Sequence, residues 1–175
     1  MKITYVRHGQ TDYNLYKIFQ ADAPLNSTGI KQAKETAKKL KDKHFDICYC
    51  SPMLRTRQTL NEILKYHNDL KVIFDERLHE RHYGELIGQH ASVVTFNRWD
   101  MTAKIPYKGM ESIPTVIDRV SSFYDDLFKT DYQNVLIVAH SGIFRASSVY
   151  FYGIPKSKDL SEYKLQNGEV ATFEK

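Results

Sequence analysis

Arginine and histidine side chains follow three apolar runs of the sequence. Arg7 and His8 come directly after KITYV, Arg55 comes shortly after FDICYC, and His140 comes directly after NVLIVA. Two guanidinium groups can hold the oxygens of a phosphoryl group and neutralise its charge. A neutral imidazole can act as a nucleophile toward the same group. These residue types therefore indicate chemistry on a phosphorylated ligand, if the fold brings them together.

A nearby carboxyl group would complete this chemistry by protonating the leaving oxygen and then deprotonating an attacking water. The segment DERLHERHYGEL offers Glu76, Glu80 and Glu85, and spacing alone does not choose among them. No metal-binding or nucleotide-binding motif of the H-E-x-x-H, EF-hand or P-loop type is found. We expect a site without a cofactor or metal. The other histidines have no comparable position after a strand, so we expect surface or structural roles for His44, His67, His79, His82 and His90.

The elements that must position these residues alternate between strand and helix. Apolar runs predict strands at 2–6, 45–50, 70–74 and 134–139, and GEVATFE predicts a final edge strand. Helical spacing predicts helices at 27–43, from Ser51 and Pro52 to about His67 with Leu54 facing inward, at 112–129 and at 142–152. This alternation favours an α/β fold, a three-layer α/β/α sandwich with a mostly parallel central sheet.

In such a sheet, ligands bind beyond the carboxyl ends of the strands. Both histidines and both arginines would therefore meet at one edge of the sheet. The following helices add N-terminal dipoles and free N–H groups there, which favours an anion such as phosphate. Gly9 and Gly142 allow tight turns and a close approach of the backbone.

Composition excludes several other classes of protein. The 175 residues are 42% hydrophobic and 26% charged, without linker or repeat, so we expect one domain over residues 1–175. No apolar run approaches the roughly 20 residues of a membrane span, and the N-terminus leads straight into a strand, so we expect no membrane partner and a cytoplasmic location. The net charge of +4 suits anions, but the basic stretch 34–43 is typical of a solvated helix face, and we expect no nucleic-acid partner. Oligomeric state is not indicated.

The two cysteines, Cys48 and Cys50, lie two residues apart on a predicted strand and share one face. Neighbours of this kind make a poor disulfide pair. We expect both to be small, buried core residues rather than part of a redox or metal site.

The sequence resembles the histidine phosphatase superfamily, the phosphoglycerate-mutase-like enzymes. The matching segments occur in family order over nearly the whole chain: VRHGQTDYN, FQADAPLNSTGIKQA, SPMLRTRQT, LHERHYGEL, GMESIPTVIDR and VAHSG. The resemblance implies the phosphoglycerate-mutase-like α/β fold. It also implies a catalytic set in which His8 becomes a phosphohistidine, Arg7 and Arg55 bind the phosphoryl oxygens, His140 stabilises their charge, and Glu80 is the general acid and base.

The same resemblance implies three further phosphate-binding residues, namely Asn14, Gln20 and the backbone N–H of Ser141. A metal-independent phosphatase for small phosphomonoesters is favoured, because the chain is short and its compact cap is too small to protect a phosphohistidine from water. A phosphoglycerate mutase is the alternative, since ERHYG is close to the glycolytic mutases, although 87–109 lacks their paired arginines. A non-catalytic phosphate-binding relative is a weaker alternative.

Selectivity for the leaving group is expected in a small substrate-facing cap segment around residues 86–110. Phe96, Trp99 and Tyr107 could pack on a substrate, and Arg98, Lys104, Lys108 and Arg145 could bind additional anions. The structural alternative is that Phe96 and Trp99 form one face of a short core helix.

Overall fold

Strands and helices alternate along the chain in the computed structural model, which describes residues 1–19 and 21–175. In this described part the strands are β1 (Lys2–Arg7), β2 (Ile47–Cys50), β3 (Val72–Phe74), β4 (Asn134–Ala139) and β5 (Val170–Glu174). The helices are α1 (Asp12–Leu15), α2 (Ser27–Leu40), α3 (Leu54–Leu64), α4 (Ile113–Leu127) and α5 (Ser141–Tyr152). Short 3-10 turns lie at Glu76–Leu78, Gly84–Leu86, Ala91–Val93 and Leu160–Glu162.

The strands form one five-stranded sheet in the order β3-β2-β4-β1-β5. The first four are parallel, and β5 pairs antiparallel with β1 at the edge. The predicted mostly parallel sheet and its final edge strand are confirmed.

Side chains on the two faces of the sheet belong to two separate cores. Ile3 and Tyr5 of β1 pack with the buried residues of α4 and α5. Val6, with the opposite orientation, packs with buried residues of α2 and α3. Because strand side chains alternate between faces, the apolar runs supply both cores at once, and the predicted α/β/α sandwich is confirmed.

Cys48 and Cys50 are fully buried free thiols in the core beneath α2 and α3. Burial raises the pKa of the Cys50 thiol to about 12, so it stays protonated at neutral pH. Their prediction as core residues is confirmed.

Helix α3 begins later than predicted. The Ser51 N–H donates to the Val138 carbonyl and so continues the ladder between β2 and β4. Residues 51–53 therefore leave the sheet in an irregular turn, and the helix starts at Leu54. The expectation that Leu54 faces inward is wrong: its side chain is 41% exposed. Leu54 is exposed because it is the first residue of the helix, and the part of the helix that packs on the sheet comes after it.

The connection between β3 and α4, residues 75–112, is described throughout and contains 3-10 turns but no α-helix, so the structural alternative of a short core helix with Phe96 and Trp99 on one face is wrong. Trp99 is nevertheless buried, against Ile113 and Leu160. A second small cluster joins Phe19, Leu86 and Met110. These contacts hold the segment against the carboxyl edge of the sheet. Within the described residues, no helix has the length and apolar character that a membrane span requires.

Candidate active site

The register of the sheet places the two predicted histidines side by side. β1 and β4 pair in parallel with Arg7 opposite Ala139, so the next residues, His8 and His140, leave the sheet together. Their ring centroids are 5.1 Å apart, and both side chains are buried. The predicted convergence at the carboxyl edge is found.

The hydrogen bonds of His8 define its tautomer. Nδ1 lies 2.6 Å from the Gly9 carbonyl oxygen, and because a carbonyl only accepts, Nδ1 carries the proton. Nε2 therefore holds a lone pair, toward which the Arg55 Nε–H donates at 3.3 Å. Burial, and then the charges of Arg55 and Arg7, hold the His8 pKa well below its usual range. At neutral pH the imidazole is therefore neutral, with the proton on Nδ1 and the lone pair on Nε2.

His140 is fixed from two directions. Its Nε2 is 2.8 Å from the Ser51 hydroxyl, and its backbone carbonyl accepts from the Tyr5 hydroxyl at 2.7 Å. The other ring nitrogen, Nδ1, is buried and has no hydrogen-bond partner in the described part of the chain. Burial is the first cause that lowers the His140 pKa well below its usual range, followed by the charges of Arg55 and His8.

Arg7 and Arg55 bring two guanidinium groups to these rings. Arg55 is fully buried, and its Nη1 donates to the Ala21 carbonyl at 3.0 Å. Burial lowers its pKa to about 10, which still leaves it cationic at neutral pH. Arg7 donates from Nη1 to the Leu165 carbonyl at 2.7 Å, while its buried Nε has no partner among the described residues. Both therefore keep donor capacity beside His8.

Glu80 is the carboxylate that the fold brings to this edge. The Gly142 N–H, at the start of α5, lies 3.1 and 3.2 Å from its two oxygens, and the Arg81 N–H donates at 2.9 Å. A Cβ atom at position 142 would clash with Glu80 Oε1, so this approach requires glycine. The flanking carboxylates are elsewhere: Glu76 pairs with His79, and Glu85 accepts from the Lys108 N–H.

A cavity of about 270 Å³ opens at this edge of the sheet. Four of the predicted site residues line it, namely Arg7, Asn14, Glu80 and Ser141. His8, Arg55 and His140 are buried and do not contribute to its wall. The single lone pair of His8 Nε2 accepts from the Arg55 Nε–H. A ligand atom that bonds to this nitrogen must therefore displace the Arg55 N–H.

The two further phosphate-binding candidates in the described chain have structural partners as well. The Asn14 side-chain oxygen accepts from the backbone N–H of Thr11 at 3.1 Å and caps the turn at α1. Ser141 accepts from Arg145 Nη1 through its carbonyl at 3.0 Å and through its hydroxyl. The third candidate, Gln20, lies outside the described residues.

Two contacts of the site were missed by sequence reasoning. Ser51 was assigned to a helix start, although its position directly after a strand was the pattern used to find His8 and His140. Asn167 donates to the His8 carbonyl at 3.1 Å and to the Asn14 side-chain oxygen at 3.2 Å. It had no local pattern, because its partners are more than 150 residues away along the chain.

The remaining histidines do not line the cavity. His44 pairs with Asp46, His67 contacts the Leu40 carbonyl and His90 contacts the Ser92 hydroxyl. His82 contacts the Gly109 carbonyl. Across residues 1–19 and 21–175, no group of three or more His, Cys, Asp or Glu side chains is placed to hold a metal ion.

Known proteins share this arrangement of chain and fold. The family model of the histidine phosphatase superfamily (branch 1) matches residues 3–174. Phosphoserine phosphatase 1 of Hydrogenobacter thermophilus is 33% identical over 168 residues, which cover 90% of this chain and 79% of that protein. A 2,3-bisphosphoglycerate-dependent phosphoglycerate mutase of Cytophaga hutchinsonii is 30% identical over 185 residues, which cover 98% of this chain and 86% of that protein.

Solved structures extend the comparison to the fold. The crystal structure of the alpha-ribazole phosphatase from Shigella flexneri has a TM-score of 0.85 at 26% identity, covering 98% of this chain and 89% of that chain.

Proposed function

The chain belongs to the histidine phosphatase superfamily (branch 1), and we propose on this premise that it hydrolyses small phosphomonoesters through a phosphohistidine at His8. The observation that carries the proposal is the protonation state of His8: the Gly9 carbonyl holds the proton on Nδ1, and burial keeps Nε2 unprotonated. A nucleophile must present a lone pair at neutral pH, and this nitrogen does so.

In the first step, His8 Nε2 attacks phosphorus while the bond from phosphorus to the ester oxygen breaks. Arg7 and Arg55 hold the phosphoryl oxygens, and His140 contacts the same group. Glu80 in its acid form gives its proton to the departing oxygen, so an alcohol leaves and a phosphohistidine remains. Positioning and charge neutralisation are the main contributions that a protein makes to such a transfer.

In the second step, water attacks phosphorus and the bond to Nε2 breaks. The Glu80 carboxylate takes a proton from that water, which restores its acid form and releases inorganic phosphate. We propose that Asn14, Gln20 and the Ser141 N–H also bind the phosphoryl group; the places of Asn14 and Ser141 on the cavity wall support their part.

Mutase activity is the second candidate, because a phosphoglycerate mutase is among the relatives. It uses the same phosphohistidine but returns the phosphoryl group to a second hydroxyl instead of to water. The two candidates differ in the fate of the intermediate, so one assay can follow both.

The test measures phosphate release from p-nitrophenyl phosphate, phosphoserine and 3-phosphoglycerate in the presence of EDTA. Wild type is compared with His8→Ala and with His90→Ala, which removes an exposed histidine that does not line the cavity. We expect release from wild type and the control but not from His8→Ala, and an acid-labile phosphoenzyme only where His8 is present. Full activity of His8→Ala would refute the mechanism. Interconversion of phosphoglycerates with little release would identify a mutase.

A further inference from the structure

The cavity wall has more positive charge than a phosphoryl group requires. Resting on the proposed function, we propose that the substrate carries a second anionic group, and that Arg98 and Arg145 bind this group while Arg7 and Arg55 hold the phosphoryl group. The substrate class is then a small phosphomonoester with a carboxylate or a second phosphate.

Charge is the first support for this substrate class. Four cationic side chains line the cavity, namely Arg7, Lys17, Arg98 and Arg145, against one carboxylate, Glu80. In the described chain, neither Arg98 nor Arg145 has a carboxylate within ion-pair distance, since every arginine ion pair involves Arg55, Arg77 or Arg119. A phosphoryl dianion balances Arg7 and Arg55. Two guanidinium groups remain for another anion.

Aromatic rings hold these two guanidinium groups in place. Arg98 lies over Phe19 at 4.7 Å from the ring centroid, and Arg145 lies over Trp99 at 4.9 Å. An interaction with a ring face leaves the N–H edge of a guanidinium group available to an oxygen ligand. Such an ordered fork loses little rotamer entropy when it binds a carboxylate or phosphate.

Arg145 also carries an unused donor. Its Nε is buried without a hydrogen-bond partner among the described residues, although Nη1 donates to the Ser141 carbonyl. The pKa of Arg145 is lowered, first by burial and also by the charge of Arg98, and the charge of Arg145 in turn lowers the pKa of Arg7. The cations are therefore close enough to repel one another. An anion between them relieves this repulsion.

The size of the cavity limits the distance between the two anionic groups. Its volume of about 270 Å³ is just below the roughly 300–1,000 Å³ found for pockets of drug-sized ligands. Arg145 belongs to the first turns of α5, where Gly142 contacts Glu80. A substrate whose second anion lies a few bonds from the ester oxygen therefore fits better than one with a large neutral leaving group.

The test uses substrate pairs that differ only in the second anion. Two pairs test for a carboxylate, namely phosphoserine with phosphoethanolamine and 3-phosphoglycerate with glycerol 3-phosphate. A third pair, fructose 1,6-bisphosphate with fructose 6-phosphate, tests for a second phosphate. Charged hydrogen bonds of this kind correspond to roughly tenfold to hundredfold in kcat/KM. In at least one pair we expect wild type to prefer, by that factor, the substrate with the second anionic group, and the pair with the larger preference identifies that group.

Arg98→Met is the main variant, because Arg98 is only half-buried and methionine keeps an unbranched apolar side chain over Phe19. We expect it to reduce the preference within the favoured pair to less than threefold. Arg98→Lys, which keeps the charge, should retain part of the preference. The matched control is Lys104→Met, which removes an exposed cation from the same segment outside the cavity and should keep the full preference.

Binding provides a second measurement that does not depend on turnover. A ligand that binds only the folded protein raises its unfolding temperature. We expect 3-phosphoglycerate to raise that of wild type more than glycerol 3-phosphate does, and Arg98→Met to remove the difference. Absence of phosphate release from every ester would overturn the proposed function. In that case the difference in unfolding temperature between 3-phosphoglycerate and glycerol 3-phosphate would still test the second-anion site. Equal binding and equal turnover within all pairs, or an unchanged preference in Arg98→Met, would overturn the second-anion site alone.

Discussion

Acidification should destabilise this protein through its two buried histidines. The pKa values of His8 and His140 in the folded state lie well below the usual range, mainly because of burial. In the unfolded chain both regain an ordinary pKa of about 6.5. Below that pH the unfolded state binds protons that the folded state does not bind. The contribution of the two histidines to the free energy of unfolding is therefore fully present above about pH 6.5 and is lost as the pH is lowered below that value.

The magnitude follows from the difference in bound protons. Between about pH 7.5 and about pH 5.5, a histidine that stays neutral in the folded state lowers the free energy of unfolding by about 1.4 kcal/mol. Two such residues, His8 and His140, lower it by about 2.7 kcal/mol. This is a large share of the roughly 5–15 kcal/mol that stabilises a typical domain.

Urea unfolding at the two pH values, in buffer without phosphate or other ligand, measures this change directly. We expect His8→Gln and His140→Gln each to remove about half of it, and the double variant to remove nearly all. His90→Gln is the control, because it replaces an exposed imidazole that does not line the cavity. A wild-type loss below about 1 kcal/mol, or a double variant that keeps the wild-type pH dependence, would refute the assignment of neutral buried rings.

Three further predictions concern the surroundings of the histidines. Glu80→Gln should slow alkyl phosphates at least about tenfold more than p-nitrophenyl phosphate, because only poor leaving groups depend strongly on proton donation; equal losses for both ester types would contradict the role of Glu80. Gly142→Ala introduces a Cβ atom against Glu80 Oε1 and Trp99, and should lower kcat for alkyl phosphates and cost about 1–3 kcal/mol in urea unfolding. Wild-type values for both would show that Glu80 does not need this contact. Asp22 accepts the first N–H of α3 at 2.8 Å, so Asp22→Ala should lower the free energy of unfolding by about 1 kcal/mol. Because Asp22 also lies 3.7 Å from Arg55, the same variant should weaken inhibition by phosphate. The control is Asp69→Ala at an exposed position, which should change neither the stability nor the inhibition.

The sheet and the meeting of its charged ends were predictable because they depend on local pattern. One apolar run ends in Arg7 and His8, and another ends in His140. Once parallel strands are expected, these two runs are enough to predict that the three residues meet at one edge of the sheet. The choice of Glu80 over its neighbours came from the family resemblance. In the structure Glu80 is the glutamate of that segment on the cavity wall, and Gly142 contacts it.

Contacts between distant parts of the chain were not predictable in this way. Asn167 bonds to the His8 carbonyl, and the Ser51 hydroxyl lies beside the His140 ring. One alternative placed Trp99 on a helix face, whereas its ring contacts the Arg81 and Arg145 guanidinium groups in an irregular segment. Periodicity describes regular elements, so it could not predict a ring that is held by cations from two other segments.

The position of β1 within the sheet determines when the site can form during folding. β1 holds the first residues of the chain, yet both of its neighbours come from the last third, β4 from residue 134 and β5 from residue 170. Pairings of such high sequence separation form slowly, because the intervening chain must first lose entropy. A growing chain therefore carries the His8 segment unpaired until β4 has been synthesised. We expect Nε2 of His8, the proposed nucleophile, to become competent only when β4 and β5 have paired with β1.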